Sequence, residues 1–182
     1  PSVVYVGTAV ELHTAHTNHV NQGIHEGGGL YKTVDGGTTW RRVDQDMEES
    51  SIVSMATHPY LPFNLWVGDK AGRGAFVTPD AGGTWLHAAW RGAHYPMVFA
   101  FSRSFPATHY LSSAVTMDEL TASSDGGSTW RSLSGGLGAA VDKSSRASRL
   151  PSETSNYFHV HLHGLAVAPS DPNVLYTGTI YD

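Results

Sequence analysis

A turn sequence that occurs three times at a fixed spacing constrains the fold of this chain more than any other feature. The segments TVDGGTTW, TPDAGGTW and SSDGGSTW occupy residues 33–40, 78–85 and 123–130. Their starts differ by 78 − 33 = 45 and 123 − 78 = 45 residues. A fixed period of this size is typical of repeat architectures, in which each unit buries its apolar face against its neighbours.

Each repeat divides into four short segments that are typical of β-strands. In the second copy they are SIVSMATHP, NLWVGD, GAFVTPD and GTWLHAAW, and in the third MVFAFSRSFP, YLSSAV, LTASSD and STWRSL. Runs rich in Val, Phe, Tyr, Trp and Thr, separated by Gly, Pro and Asp, predict strands. No segment keeps a 3.6-residue apolar period long enough to predict a helix. Four strands per repeat predict an all-β fold, a β-propeller of four-stranded antiparallel blades.

The period also predicts how the blades follow one another within one propeller domain over residues 1–182. The predicted units are a partial first blade (1–46), a second blade (47–92), a third blade (93–134), an insertion loop (135–158) and a partial fourth blade (159–182). They would contribute three, four, four and two strands. PSVVYVGT at the start matches PNVLYTGT at 172–179, so we expect this sequence to be an excerpt of a longer protein. A closed propeller needs roughly four to eight blades.

Two insertions interrupt the period. AVELHTAHTNHVNQGIHEG separates a second from a third strand, and GGLGAAVDKSSRASRLPSETSNYF separates a fourth strand from the next first strand. Long loops in a compact domain are usually functional or disordered. Both connections should emerge on the rim opposite the Asp-containing turns, so one rim is expected to carry both insertions.

Composition excludes several classes of function. Eleven basic residues stand against sixteen acidic ones, giving a formal net charge of −5, and nucleic-acid binding requires a basic surface. No apolar run approaches the length of a membrane span. The chain has no cysteine, so disulfides and thiolate metal sites are excluded.

The repeated turn predicts a structural role for its aspartate. In the pattern Ser/Thr-x-Asp-x-Gly-x-Thr-Trp, the carboxylate can accept hydrogen bonds from N–H groups of its own turn. The glycine supplies backbone angles that a side chain forbids, and the tryptophan can pack back over the hairpin. Three copies on separate blades cannot share one catalytic cleft. The predicted structural residues are Asp35, Gly37, Trp40, Asp80, Gly82, Trp85, Asp125, Gly127 and Trp130.

At these residues the sequence resembles the Asp-box, or BNR-repeat, family of β-propellers. The family includes sialidases, xyloglucan-type glycoside hydrolases, sortilin-like receptors and photosystem II stability or assembly factors. GLAVAPSDPNVLYTGT and GGLYKTVDGGTTWRRV are most similar to its bacterial secreted branch, often labelled sialidase- or glycosyl-hydrolase-like. The resemblance implies a propeller with the Asp boxes on its periphery and a location outside the cytoplasm, secreted or periplasmic. It leaves the function open, because labels of this kind follow the fold.

The residues give weak support to an enzyme. Glycoside hydrolysis usually needs two carboxylates flanking one bond, or a tyrosine nucleophile in sialidases. Sialidases also carry an Arg-Ile-Pro segment and an arginine triad, and this chain lacks the segment. No convergence is evident among the positions of Arg41, Arg73, Arg91, Arg103 and Arg131. The acids outside the repeated turns include Asp44, Asp46, Glu48, Glu49, Asp118 and Glu119, of which the DQDMEES segment is the candidate carboxylate pair. The catalytic residues are unknown.

The histidines suggest a metal site. HVHLHG places His159, His161 and His163 at alternate positions, which on a strand project from one face. The first insertion would bring His13, His16 and His19 to the same rim. Two imidazoles in a His-x-His pair can converge on zinc or copper, although His163 in phase with Leu165 and Val167 could instead be a core residue. His58, His87, His94 and His109 are scattered and receive no role.

These observations favour a non-catalytic binding or scaffold propeller whose insertion-bearing rim binds a partner protein or a glycan. A glycoside hydrolase, with catalytic residues partly outside this sequence, is the alternative. A metal-binding propeller that uses the histidine-rich rim is the second alternative.

Overall fold

The computed structural model describes residues 2–9, 28–47, 51–69, 74–88, 96–113, 120–133 and 160–181. Every element assigned in these ranges is a β-strand, and the strands form four separate antiparallel sheets. None of the described residues belongs to a helix with the length and hydropathy of a membrane span.

The sheets follow one another along the chain. The first contains β1 (Val4–Thr8), β2 (Gly29–Thr33) and β3 (Arg41–Arg42); the second contains β4 (Ile52–Thr57), β5 (Leu65–Asp69), β6 (Gly74–Thr78) and β7 (Leu86–His87). The third contains β8 (Pro96–Phe101), β9 (His109–Ser113), β10 (Leu120–Ser123) and β11 (Arg131–Ser132); the fourth contains β12 (Val160–Ala168) and β13 (Asp171–Tyr181). In every sheet the strands lie side by side in chain order. The counts of three, four, four and two strands are those that the repeat predicts.

The fold is part of a β-propeller, as the sequence predicts. Each sheet is a meander of neighbouring antiparallel strands. In the two four-stranded sheets, the connections after the first and third strands therefore emerge at one end and the connection after the second strand at the other. The sheets pack face to face in succession, and this radial repetition is what protects the short strand edges.

The core consists of apolar clusters between successive sheets. The first cluster joins sheets one and two and contains Leu30, Val43, Met47, Ile52, Leu65, Val67 and Trp85. The second joins sheets two and three and contains Trp66, Ala75, Ala88, Phe99 and Leu111. The third contains Ala100, Tyr110 and Ala122, with Leu165, Val167 and Leu175 of the fourth sheet packed against it. Both faces of an inner sheet meet a neighbour, so every residue of β5 is buried.

In sheets two and three, backbone hydrogen bonds join the two turns that lie at the same end of the sheet. We call residues 33–40, 78–85 and 123–130 the Asp hairpins, and residues 58–64, 102–108 and 169–170, between the first and second strands of their sheets, the proline turns. Ala81 N donates to Phe63 O at 2.8 Å, and Gly126 N donates to Ala107 O at 2.9 Å. The second and third Asp hairpins are therefore anchored on the first connections of their own sheets.

Candidate functional site

The aspartate of the first Asp hairpin is held by its own turn. Asp35 Oδ1 accepts hydrogen bonds from Thr39 N at 2.9 Å and from Thr33 Oγ1 at 2.7 Å. Asp35 Oδ2 accepts one from Thr39 Oγ1 at 2.7 Å. Thr33 Oγ1 in turn accepts from Gly37 N at 2.9 Å. Because these bonds stabilise the charged carboxylate, the pKa of Asp35 lies well below its usual range.

The other two hairpins repeat this geometry. Thr84 N and Thr129 N lie 2.8 Å and 2.9 Å from Oδ1 of Asp80 and Asp125, respectively. The hydroxyl of Thr129 and that of Ser123 also donate to Asp125 and, with the backbone bond, lower its pKa to about 2. The pKa of Asp80 is lowered by the same kinds of bond. This is the local hydrogen bonding that the sequence pattern predicts, and it occupies the carboxylates within their own turns.

The three hairpin tryptophans differ. Trp40 and Trp130 each donate Nε1–H to a carbonyl of their own turn, that of Gly37 or Gly127, at 3.1 Å. Trp85 instead donates across to Val43 O of the first sheet at 2.6 Å and is 8% exposed, whereas Trp40 is 44% exposed. Trp85 therefore bonds to the neighbouring sheet, whereas Trp40 and Trp130 bond to their own hairpins. The first sheet offers its indole both an apolar cluster and a carbonyl acceptor.

Two buried acids, Asp44 of the DQDMEES segment and Asp69, also hold the backbone. Asp44 is fully buried, accepts from Leu30 N at 3.1 Å and pairs with Arg42 Nε at 2.6 Å. Asp69 is fully buried at the end of β5 and accepts from Ser51 N at 3.1 Å. Asp46 is exposed, and the remaining candidate acids, Glu48, Glu49, Asp118 and Glu119, lie outside the described residues.

The predicted metal ligands stay a prediction. His13, His16, His19 and His159 lie outside the described residues. His161 and His163 lie on β12, where His161 pairs with Ile180. A register shift lies between Leu162 and Gly164 in the pairing of β12 with β13. Among the described residues, no three His, Cys, Asp or Glu side chains are close enough to hold a metal ion.

A histidine pair that the sequence argument left without a role lies between the second and third sheets. Nε2 of His58 and Nε2 of His109 both lie 3.1 Å from the carbonyl oxygen of Pro106, and the two ring centres are 5.5 Å apart. A carbonyl oxygen only accepts, so both rings carry their proton on Nε2. His58 Nδ1 then accepts from Tyr60 N at 3.3 Å. The pair links the proline turns of neighbouring sheets.

Aromatic rings surround His109. Trp66 and Phe101 meet its ring edge to face, with ring centres 5.3 Å and 4.9 Å away. The side chain is buried, and its Nδ1 has no hydrogen-bond partner among the described residues. Burial first, and His58 second, lower the pKa of His109 to about 4. The ring is therefore neutral at physiological pH.

Successive proline turns are tied to one another in a consistent way. The phenol of Tyr60 donates to Arg103 O of the next turn at 2.7 Å. Ser104 Oγ, one sheet further along, donates to Pro169 O at 2.5 Å. A groove of about 300 Å³ opens between the turns of sheets two and three. Alignment of the repeats places His58 at the start of one proline turn and His109 just after the next, which is the signal that could have paired them.

Comparison with known proteins supports the fold. No protein-family model matches the sequence, and no curated protein does either. A GH74 xyloglucanase from Xanthomonas campestris matches with a TM-score of 0.63 and 17% identity, over 98% of this chain and 25% of that chain. A GH74 enzyme from Niastella koreensis matches with a TM-score of 0.55 and 19% identity, over 84% of this chain and 22% of that chain.

A third similar structure is that of YCF48 bound to D1 peptide. It matches with a TM-score of 0.50 and 15% identity, over 85% of this chain and 42% of that chain. The chain thus spans less than half the length of each of these three structures. At identities this low the likeness establishes a β-propeller and leaves activity open.

Proposed function

We propose that this protein is a non-catalytic binding or scaffold propeller of the Asp-box family, which works outside the cytoplasm. Its partner is a protein or a glycan, held on the rim that carries the two long insertions. Membership of the Asp-box family is supported by three hairpins that share one spacing and one set of hydrogen bonds. The extracytoplasmic location follows from the resemblance to the secreted branch, and fractionation of the source cells tests it.

The proposal that the protein is non-catalytic rests on the hydrogen bonds that its carboxylates make. A glycosidase needs one carboxyl group with a raised pKa and a second one across the scissile bond. In the three Asp hairpins the pKa shifts run downwards, because the charged carboxylates are bound by their own turns. Asp44 and Asp69 are buried in contact with backbone N–H groups. These five acids are committed to the fold.

A glycoside hydrolase is the second candidate, favoured by the similarity to a xyloglucanase over 98% of the chain. Its catalytic acids would come from the DQDMEES segment or from outside this sequence. Asp46, Glu48 and Glu49 are the residues of that segment that remain available for the role.

Two assays on the same preparation separate the candidates. Purified protein is incubated with xyloglucan and with a fluorogenic sialoside, and in parallel is applied to a glycan array. The binding propeller gives no product with either substrate and retains a defined set of glycans, or captures a protein that binds again after separate purification. Turnover that disappears in an Asp46→Asn, Glu48→Gln, Glu49→Gln variant would establish the hydrolase instead. Turnover that persists in the variant points to acids elsewhere and equally contradicts the binding propeller.

A further inference from the structure

A histidine takes a core position in the junction between the second and third sheets. Asn64 and Thr108 accept equivalent backbone hydrogen bonds where their turns end, so the residues that follow them, Leu65 and His109, occupy equivalent places in β5 and β9. Each faces the preceding sheet, and their exposed fractions are 1% and 3%. The third sheet thus has a titratable ring where the second sheet has a core leucine.

This histidine and a second one hold the two sheets together through one carbonyl oxygen. His58, in the proline turn of the second sheet, and His109 each donate Nε2–H to Pro106 O at 3.1 Å. Nδ1 of His58 accepts from Tyr60 N at 3.3 Å, so that ring is bound in its neutral form. Nδ1 of His109 is buried without a partner among the described residues. Because both rings meet at one oxygen, we call His58 and His109 the histidine latch.

The closed latch has no place for a second proton on His109. Its Nδ1 is shut off from water, and the ring packs edge to face against Trp66 and Phe101, with ring centres 5.3 Å and 4.9 Å away. An N–H at Nδ1 would therefore be a buried, charged donor without an acceptor in the described part of the chain, which is strongly unfavourable. Water reaches this nitrogen only when the two sheets move apart. Uptake of the proton is therefore coupled to opening of the junction.

The charges around the ring leave this penalty in place. The ring of His58 lies 5.5 Å away, centre to centre, and disfavours a positive charge on His109. Asp125 favours that charge, but burial outweighs its effect, and its carboxylate is bound within its own hairpin. The other rings against His109, those of Trp66 and Phe101, are uncharged. Burial first, and His58 second, therefore hold the pKa of His109 at about 4 in the closed junction, against about 6.5 for a histidine in water.

We propose that the histidine latch is an acid-sensitive switch, which keeps the second and third sheets together at neutral pH and lets the junction open locally when His109 takes up a proton. Each pH unit below about 6.5 multiplies the population of the open form by about ten, until the closed form also binds the proton. The next junction is linked by a hydroxyl, because Ser104 Oγ donates to Pro169 O, and this link does not titrate in acid. The latch lies at the Asp-hairpin end, away from the insertion-bearing rim, so its test is independent of the function proposed above.

Labelling of an introduced thiol measures the opening, because the chain has no cysteine of its own. Leu111→Cys places a thiol in the second cluster, and Val67→Cys places one at the equivalent position in the first; both side chains are 0% exposed. Ala75→Cys, also 0% exposed in the second cluster, repeats the measurement with a smaller change of side chain. Each variant is labelled with dithiodipyridine at pH 7 and pH 4.5. The rate is divided by that of the same variant unfolded in urea at the same pH, which removes the reagent's own pH dependence.

We expect the relative labelling rate of the two second-cluster thiols to rise about 100-fold between pH 7 and pH 4.5, tenfold for each of the two units below 6.5. His109→Leu, which restores the leucine of the equivalent position, should abolish the rise. The thiol of Val67→Cys should stay about tenfold slower at pH 4.5, because only unfolding of the whole chain exposes it. The switch is overturned by equal relative rates in the two clusters at pH 4.5, which would show global unfolding. It is also overturned if the second-cluster rates do not change with pH, or if their rise survives His109→Leu.

Discussion

Lys32 Nζ lies 2.8 Å from the carbonyl oxygen of Ala81, across the junction between the first and second sheets. The phenol of Tyr5 donates to the same oxygen at 3.1 Å, and the ammonium lies 5.4 Å from the centre of the Tyr5 ring. The N–H of Ala81 is bound to Phe63 O. Ala81 thus fixes the second Asp hairpin in two directions. The N–H of Ala81 binds the second sheet, and its carbonyl oxygen binds the first sheet.

A double-mutant cycle tests this shared acceptor. Tyr5→Phe and Lys32→Met each remove one donor and keep the apolar part of the side chain, so each should lower the free energy of unfolding by about 1 kcal/mol. The double variant leaves the carbonyl of Ala81 without either donor and should lose more than the sum of the two. Urea denaturation measures all four proteins. Strictly additive losses would show that the two donors do not share one acceptor.

The backbone of Ala81 predicts a stabilising substitution. Its φ is +62°, in the left-handed region, where the equivalent residues of the other hairpins, Gly36 and Gly126, have φ of +73°. This conformation costs an alanine about 1–2 kcal/mol, which a glycine avoids at a smaller cost in unfolded-state entropy. Ala81→Gly should therefore raise the free energy of unfolding by roughly 0.5–1 kcal/mol. The reverse change, Gly36→Ala, has open space around the added methyl group and should lower the free energy of unfolding by a similar amount. If neither substitution changes the free energy of unfolding, the left-handed backbone does not strain Ala81.

Neighbouring glycines in the third hairpin should differ sharply in their tolerance of a methyl group. A Cβ on Gly127 would lie 2.3 Å from Cη2 of Trp66, whereas one on Gly126 would meet nothing within 4 Å. Both have positive φ, so alanine strains the backbone at either position. Only at Gly127 would the methyl group also overlap with the second sheet. Gly127→Ala should cost about 1–3 kcal/mol more than Gly126→Ala in urea denaturation. Restoration of part of that loss by Trp66→Leu would identify the indole as the obstacle.

The repeat could be predicted from the sequence because its signal is local. The turn residues, the runs of strand-forming residues and the 45-residue spacing are each visible in one copy or in two successive copies. The contacts between neighbouring sheets depend instead on which side chains of one sheet meet those of the next. Trp85 turns towards Val43, and His58 meets His109 on Pro106 O. The residues of such pairs are about one repeat apart, and periodicity within a strand carries no information on them.

The third Asp hairpin should contribute to stability in a pH-dependent way. The pKa of Asp125 falls to about 2, chiefly through the hydroxyl and N–H of Thr129, while an unfolded aspartate titrates near pH 3.9. The unfolded state thus binds the proton first as acid is added, so this stabilisation is complete above about pH 4 and is lost as the pH falls towards 2. Asp125→Asn should lower the Tm at neutral pH and flatten its decline in acid. Asp46→Asn, at an exposed carboxylate outside the hairpins, should leave that decline unchanged.

His109 differs from Asp125 because it is a base, and folding disfavours its charged form. Its pKa falls to about 4, mainly through burial, against about 6.5 in the unfolded chain. Below pH 6.5 this histidine is protonated in the unfolded state but stays neutral in the folded state. The free energy of unfolding should therefore be constant above about pH 6.5 and fall between pH 6.5 and 4. After allowance for solvent screening the loss should be about 2 kcal/mol. His109→Phe, which keeps a ring against Trp66 and Phe101, should remove this slope in urea denaturation at pH 7 and pH 4.5. His87→Gln, at an exposed position, should keep it, and a slope that survives in His109→Phe would assign the pH dependence to another group.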